Sequence, residues 1–240
     1  MAGGTYHTRQ FLVTMCVLIW SIRLGIFLYL RIQRKQKDGR FDEIKHHIPR
    51  FFNMWTIQGC WVYLTMVPVF CLNATETDVP FPQSSDYFGM VCFGIGFACE
   101  VIADNQKTAF AMNPDNEGKW ISTGLWALSR HPNYFGEILL WIGIFLMSST
   151  VFTGGQWLAI ESPCFVAFLL IKVSGIPLLE ARAENEWGHD PTYQAYKEAT
   201  PELIPWPTSI NMSHFMDSPT DLKQSLMGDA ESGQQPMVET

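Results

Sequence analysis

Three groups of polar side chains could do chemistry, and each lies near the end of a long apolar stretch. The first group is Glu100, Asp104 and Lys107. Spacings of four and three residues place these side chains on one face of a helix. They would form either a solvated helix end with an internal ion pair or the polar wall of a pocket.

The second group surrounds Pro132, which suits the first turn of a helix because its missing N–H has no helical partner there. Arg130 and His131 directly precede this predicted helix start. Backbone N–H groups at a helix start carry partial positive charge, so an arginine beside them favours an anion-binding site. The same residues, together with Trp126 and Tyr134, also suit anchoring in the headgroup layer of a membrane. Spacing alone leaves both interpretations open.

The third group follows the last apolar stretch and comprises Glu180, Arg182, Glu184 and Glu186, with Tyr193 shortly after. Residues 180 and 184 share a helix face, which predicts a helix that continues beyond the membrane. A charged amphipathic helix on the surface is the alternative. The six cysteines lie in apolar stretches without a CxxC pair or a histidine cluster, so we expect no metal site.

Five apolar stretches must position these groups. They run over about residues 11–32, 55–72, 87–103, 132–152 and 157–179. Each is near the roughly 20 residues that cross a bilayer as a helix, and non-helical backbone cannot face lipid. The sequence therefore predicts an all-α, polytopic membrane helix bundle with about five transmembrane helices.

The lysines and arginines alternate from loop to loop. The first loop is rich in them, residues 73–86 have none, the third loop has three, and residues 153–156 have none. Since cytosolic loops carry the excess of these residues, we expect an external N-terminus and a cytosolic C-terminus. All three polar groups then face the cytosol.

The domain organisation follows from composition. Residues 1–206 form a predicted membrane domain, and residues 207–240 are polar and poor in apolar side chains. Such a segment cannot bury enough apolar surface to fold alone, so we predict a disordered cytosolic tail. The tail carries five acids and one base and accounts for much of the net charge of −7. We expect no nucleic-acid partner.

Several segments resemble the C-terminal half of the sterol reductases: Asn105–Phe110, Gly124–Trp126 and Arg130–Tyr134. From Arg9 to Trp206 the chain more closely resembles a family of uncharacterised membrane proteins with a steroid 5-alpha-reductase-like C-terminal domain. The wider superfamily includes the isoprenylcysteine carboxyl methyltransferases. Those enzymes use S-adenosylmethionine, whereas the reductases use NADPH.

The resemblance implies an NADPH-dependent oxidoreductase acting on CH–CH donors, with a lipid or sterol-like substrate and a cofactor pocket on the cytosolic face. The endoplasmic reticulum is the expected membrane. By position, the resemblance assigns cofactor contacts to Lys107, Trp126, Arg130, His131, Asn133, Tyr134, Arg182, Glu184 and Tyr193. The chain departs from the reductases at Ala111, where they have an arginine, and at Ala183, where they have an acid.

Reduction of an alkene needs a proton donor for the carbon that does not receive the hydride. Tyr134 and Glu137 lie within one turn of each other at the start of the fourth stretch and are the catalytic candidates. The basic side chains around one helix start favour the polyanion NADPH over S-adenosylmethionine. Two alternatives stay open: an S-adenosylmethionine-dependent methyltransferase of a lipid or prenylated substrate, and a non-enzymatic lipid-binding membrane protein.

Overall fold

The computed structural model describes residues 7–35, 47–76 and 79–207, and all regular structure within these ranges is helical. The main helices are α1 (Thr8–Lys35), α2 (Ile48–Asn73), α3 (Ser84–Met112), α4 (Leu125–Leu128), α5 (Pro132–Ser149), α6 (Glu161–Phe168), α7 (Ile176–Trp187) and α8 (Pro191–Ala199). Short 3₁₀ segments occupy Pro114–Asn116 and Gly154–Ile160, and a π-helical segment occupies Leu169–Val173. The predicted all-α fold is confirmed. The predicted tail falls almost wholly outside the described residues.

Four helical stretches of the described chain are long and apolar enough to cross a membrane: Thr8–Gln33, Ile48–Asn73, Ser84–Met112 and Gly154–Trp187. They correspond to four of the five predicted stretches and agree with a polytopic helix bundle. The fifth, α5, begins at Pro132 as predicted and has 18 residues. At 1.5 Å per residue it rises about 27 Å, slightly less than a hydrocarbon core of about 30 Å. The polar residues of its first turns, Asn133 and Glu137, shorten its apolar part further.

The chain divides into two compact units. The first comprises Met1–Ile95 and Ile138–Phe168, and the second comprises Gly96–Glu137 and Leu169–Thr240. Helices α3 and α5 each contribute residues to both units. All three groups of polar residues singled out in the sequence belong to the second unit.

Close backbone contact joins α3 and α5 within the first unit. A Cβ atom added to Gly143 would lie 2.6 Å from the backbone oxygen of Gly89 and 2.6 Å from the backbone nitrogen of Phe93. These distances are shorter than van der Waals contact, and the obstructing atoms are backbone atoms that cannot move aside. Only glycine therefore permits this approach of the two helices, as is common in membrane proteins.

The other packed face of the first unit belongs to the C-terminal half of α2, which contacts α1, the Gly154–Ile160 segment and α6. Its buried residues are Thr65, Pro68, Val69 and Leu72. Ser162 of α6 donates a hydrogen bond of 2.7 Å from Oγ to the carbonyl oxygen of Thr65. This bond satisfies a hydroxyl that would otherwise be costly to bury.

Candidate functional site

The candidate site in the second unit begins where α3 meets the start of α5. A Cβ atom on Gly136 would lie 2.5 Å from the oxygen of Gly96 and 2.7 Å from the nitrogen of Glu100. This close approach lays the C-terminal half of α3 against the first turn of α5. Asn133 there donates from Nδ2 to Oδ1 of Asp104 at 3.3 Å. Glu100 and Asp104 are both buried, which argues against a solvated helix end for these two residues, whereas Lys107 is exposed.

The short helix α4 is held on α3 by two hydrogen bonds. Gln106 accepts from the backbone N–H of Leu125 at 3.0 Å, and the indole N–H of Trp126 donates to the carbonyl oxygen of Ala103 at 3.1 Å. The ammonium of Lys107 lies 4.6 Å from the centroid of the Trp126 ring, within cation–π range. The structure thus brings Lys107 and Trp126 together, and their assignment to a cofactor site stays a prediction.

The segment between α4 and α5 is fixed by the chain that follows α8. The hydroxyl of Ser129 donates to the carbonyl oxygen of Leu203 at 2.8 Å and accepts from the backbone N–H of His131 at 3.1 Å. The backbone N–H of Arg130 donates to the carbonyl oxygen of Pro201 at 2.9 Å. These bonds set the direction in which the Arg130 and His131 side chains leave the backbone.

The carboxylate of Glu180 on α7 contacts both the Arg130 and the His131 side chain. Its Oε2 pairs with Nη1 of Arg130, and its Oε1 lies 2.9 Å from Nε2 of His131. Glu202 lies 3.8 Å from Nη2 of the same arginine. The anion beside the predicted anion-binding helix start is therefore a carboxylate of the protein itself.

His131 is the more enclosed of the two side chains that contact Glu180. It is buried, and its ring stacks on Tyr134 with centroids 5.6 Å apart and an interplanar angle of 9°. Its Nδ1 atom has no hydrogen-bond partner among the residues that the structure describes. Tyr134 and Glu137, the two catalytic candidates, are half-buried on the first turns of α5.

Acids outnumber bases in this part of the second unit. Around α4 and the start of α5 the described residues include six acids and three bases: Glu100, Asp104, Glu137, Glu180, Glu184 and Glu202 against Lys107, Arg130 and Lys197, the last of which acts on Glu180. The positive charge that the sequence places beside the helix start is thus more than balanced once the chain folds.

Arg182 does not join the Arg130 cluster. Its side chain is 78% exposed, and its Nε lies 4.0 Å from the carboxylate of Glu186 one turn later on α7. Successive helical residues are 100° apart, so a residue two positions after Glu180 is turned by 200°. When Glu180 faces Arg130, Arg182 must therefore face away.

Glu184 and Tyr193 likewise have other partners. Glu184 is exposed and accepts a 2.6 Å bond from Nζ of Lys197, which raises the pKa of the lysine. Tyr193 is buried, and its ring lies 5.2 Å from that of Trp120 and 5.9 Å from that of Trp187. Burial raises the pKa of this phenol. Both residues thus help to pack α7 and α8, and their assignment to a cofactor stays a prediction.

Tyr196 on α8 is a site residue that the sequence reasoning did not assign. Its hydroxyl donates a 2.8 Å bond to the carbonyl oxygen of Trp126, and burial raises its pKa well above the ordinary range. Glu180 was recognised in the sequence only as part of a charged helix. The adjacent Arg130 and His131 indicate that a carboxylate partner such as Glu180 is needed, because a buried positive charge without one is costly.

Comparison with known proteins gives two partial relatives. An uncharacterised protein of Schizosaccharomyces pombe is 23% identical over 168 residues, which cover 59% of this chain and 48% of the relative. A probable O-methyltransferase of Ustilaginoidea virens is 33% identical over 66 residues, which cover 28% of this chain and 23% of the relative. The matched parts therefore amount to less than half of each of these proteins. No solved structure gives a significant match.

A family model covers far more of the chain than either relative. It is the model of a protein of unknown function, DUF1295, and it matches residues 1–200, well over half of the sequence. The matched region includes α1 to α8 and every residue of the candidate site except Pro201, Glu202 and Leu203. The chain belongs to the DUF1295 family.

Proposed function

We propose that the chain is a membrane methyltransferase that binds S-adenosylmethionine in the second unit and methylates an oxygen of a lipid or prenylated substrate. The main observation behind this proposal is that the Glu180 carboxylate contacts both Arg130 and His131. S-adenosylmethionine carries a sulfonium, an ammonium and a carboxylate group, and therefore a net positive charge, and it has no phosphate. An acid-rich cluster attracts such a molecule and repels a polyanion such as NADPH, because like charges brought together at a partly buried site are costly.

The residues present fit the cationic cofactor. Asp104 is buried and oriented by Asn133, and Glu100 lies one helical turn before it. The indole ring of Trp126, held by the carbonyl oxygen of Ala103, already has the ammonium of Lys107 4.6 Å from its centroid, so a cofactor cation would bind over this ring only by displacing that lysine. S-adenosylmethionine supplies an electrophilic methyl group when bound. The chain would supply the negative charge that holds it and an apolar surrounding that excludes water.

The similarity to a probable O-methyltransferase supports the same reaction class. The site would face the cytosol, because the lysine and arginine distribution places the loops around α4 on that side. The endoplasmic reticulum is the membrane proposed from the resemblance. A lipid or prenylated substrate suits an enzyme whose described chain has four helical stretches long and apolar enough to cross a membrane.

An NADPH-dependent reductase of a carbon–carbon double bond in a lipid or sterol-like substrate is the second candidate. The position of Lys107 beside Trp126 favours it, because NADPH is a polyanion that cationic side chains bind. In this candidate Tyr134 or Glu137 would donate the proton. Arg130 would have to exchange Glu180 for a cofactor phosphate.

Thermal unfolding of the detergent-purified protein with S-adenosylmethionine, NADPH or NADH tests the proposal. A ligand specific for the folded state adds about 2.7 kcal/mol of stability at a hundred times its dissociation constant. We expect stabilisation by S-adenosylmethionine alone. Stabilisation by NADPH alone would make the reductase the correct assignment, and no stabilisation by any of the three would favour the non-enzymatic lipid-binding protein.

Glu180→Gln sharpens this test. The substitution removes the negative charge and frees Arg130, so it should weaken S-adenosylmethionine binding on the order of tenfold, or 1.4 kcal/mol, and improve any binding of NADPH. Glu186→Gln is the matched control, since it removes the same charge from the outward face of α7. Equal effects of the two variants would contradict a role for Glu180 at the cofactor site.

A further inference from the structure

The two ring nitrogens of His131 have different surroundings. Nε2 lies 2.9 Å from Oε1 of Glu180, whereas Nδ1 is shielded from solvent and has no hydrogen-bond partner within the described part of the chain. The side chain is only 5% exposed. A buried polar atom without a partner is costly, and a catalytic role is one reason for which a protein keeps one.

The contact with Glu180 determines which ring nitrogen carries the proton. Glu180 pairs with Arg130 as a carboxylate, and a carboxylate only accepts hydrogen bonds. Nε2 of His131 therefore donates to it, and a neutral imidazole with its proton on Nε2 has a lone pair on Nδ1. A second proton on Nδ1 would be a buried donor without an acceptor, so Nδ1 is a base and not a donor in this arrangement.

Three contacts fix the orientation of this base. The backbone N–H of His131 donates to Oγ of Ser129 at 3.1 Å, the ring stacks on Tyr134 at an interplanar angle of 9°, and Nε2 is held by Glu180. A carboxylate on one nitrogen and a lone pair on the other is the arrangement by which a histidine serves as base in catalytic triads. Neighbouring side chains enclose Nδ1, so a substrate must displace one of them to reach it.

Whether methyl transfer to oxygen needs a base depends on the acceptor. A carboxylic acid has an ordinary pKa of about 4 and is already an anion at neutral pH, so it needs no base. A hydroxyl group keeps its proton at neutral pH, since even a phenol has a pKa of about 10. It must lose this proton as its oxygen is methylated, and a side chain that takes it accelerates the reaction.

The charge around His131 selects between these two acceptors. Glu100 and Asp104 are buried, and acids outnumber bases around α4 and the start of α5. A carboxylate acceptor would bring another negative charge to this partly buried site, where like charges repel strongly. A hydroxyl acceptor is neutral and adds none, but it requires the base that Nδ1 provides.

We propose that the methyl acceptor is a hydroxyl group of a membrane lipid and that Nδ1 of His131 takes its proton during the transfer. This inference rests on the proposed function. The acceptor oxygen forms a bond to the methyl carbon, the bond between that carbon and the sulfonium breaks, and its electron pair stays on sulfur. The proton moves from the hydroxyl to Nδ1. The products are a lipid methyl ether, S-adenosylhomocysteine and an imidazolium whose charge the Glu180 carboxylate offsets.

The chemistry of the labelled product tests the acceptor. The full chain, in vesicles made from the membrane lipids of the cells that express it, is incubated with S-adenosylmethionine that carries a tritiated methyl group. The labelled lipid is then treated with alkali, which hydrolyses a methyl ester to volatile methanol and leaves a methyl ether intact. We expect the label to stay in the lipid. Its release as methanol would show a carboxylate acceptor and would overturn the proposal.

His131→Gln tests the base. A glutamine amide can still donate to Glu180 from about the position of Nε2, but it has no basic atom in place of Nδ1. His189→Gln is the matched control, because it makes the same exchange at an exposed histidine of the second unit. We expect lipid labelling to be slower by on the order of 100-fold or more in His131→Gln and unchanged in His189→Gln. S-adenosylmethionine should stabilise both variants against thermal unfolding as it does the unsubstituted protein, since the Glu180 charge remains.

The remaining outcomes separate this inference from the proposed function. Equal labelling rates in the two variants would overturn the role of Nδ1. Loss of stabilisation by S-adenosylmethionine in His131→Gln would also overturn it, because the histidine would then hold the cofactor. The product test uses the unsubstituted chain and does not depend on the folding of a variant. No labelled lipid from the unsubstituted chain would instead contradict the proposed methyltransferase, and this inference with it.

Discussion

The ion pair between Arg9 and Asp86 in the first unit permits a quantitative test of what holds α1 to α3. Nε of the arginine lies 2.8 Å from Oδ1 of the aspartate, and Nη2 lies 2.7 Å from Oδ2. This is the bidentate geometry that guanidinium and carboxylate groups favour. The side chains are 3% and 0% exposed, so solvent hardly screens the pair.

Further hydrogen bonds use the remaining donors and acceptors of this ion pair. Nη1 and Nη2 of Arg9 donate to the carbonyl oxygens of Val79 at 3.2 Å and Pro80 at 3.1 Å. Asp86 also accepts from the backbone N–H of Gln83 at 2.7 Å. Removing either charged partner leaves the other buried without compensation, which costs about 3–5 kcal/mol.

We therefore expect Asp86→Asn, which preserves side-chain size, to lower the free energy of unfolding by about 3–5 kcal/mol. Arg9→Met should cost a similar amount. The double variant Arg9→Met with Asp86→Asn should cost clearly less than the sum of the two, because it leaves no unpaired charge. Equilibrium unfolding in mixed detergent micelles, followed by circular dichroism, measures all three.

The exposed pair of Arg182 and Glu186 is the control. Its atoms are 4.0 Å apart and its side chains are 78% and 46% exposed, so Glu186→Gln should cost less than about 1 kcal/mol. The reasoning would be refuted if Asp86→Asn cost no more than this control. Strictly additive effects of Arg9→Met and Asp86→Asn would also refute it.

Two further predictions concern helix contact and pH. Gly143→Ala should destabilise the protein by about 1–3 kcal/mol, because the new Cβ meets the backbone of Gly89. In the same thermal unfolding assay Gly94→Ala, with nothing within 4 Å, should cost nothing and add up to about 1 kcal/mol through the higher helix propensity of alanine. Tyr196 has a raised pKa in the folded state, so its contribution is complete below about pH 10, the ordinary phenol value, and decreases as the pH rises further. Tyr196→Phe should lower the free energy of unfolding at pH 7 by about 0.5–1.5 kcal/mol, the value of the hydrogen bond from Tyr196 to Trp126. It should also reduce the loss of stability as the pH rises above about 10. If stability falls with pH in this alkaline range as steeply in the variant as in the unsubstituted protein, this account is contradicted.

Much of the helical architecture was predictable from the sequence because its cause is local. In lipid every backbone polar group must pair within its own segment, so a long apolar stretch forms a helix whatever its neighbours are. Pro132 marked the start of α5 for the same kind of reason, since it lacks the N–H that a helix interior needs. The assignment of Lys107 and Trp126 to a cofactor site rests on a resemblance and not on the local pattern, and their contact is visible only in the folded chain.

The partners of the charged residues depended on the tertiary structure. Arg9 and Asp86 are 77 positions apart, and Arg130 and Glu180 are 50 apart, so no local spacing connects them. The rotation of α7 decides that Glu180 faces Arg130 while Arg182 faces away. The sequence by itself determined which residues are helical and which carry charge. Only the packing of the helices decided which charges cancel, because electrostatic energy depends on distances that the chain sets when it folds.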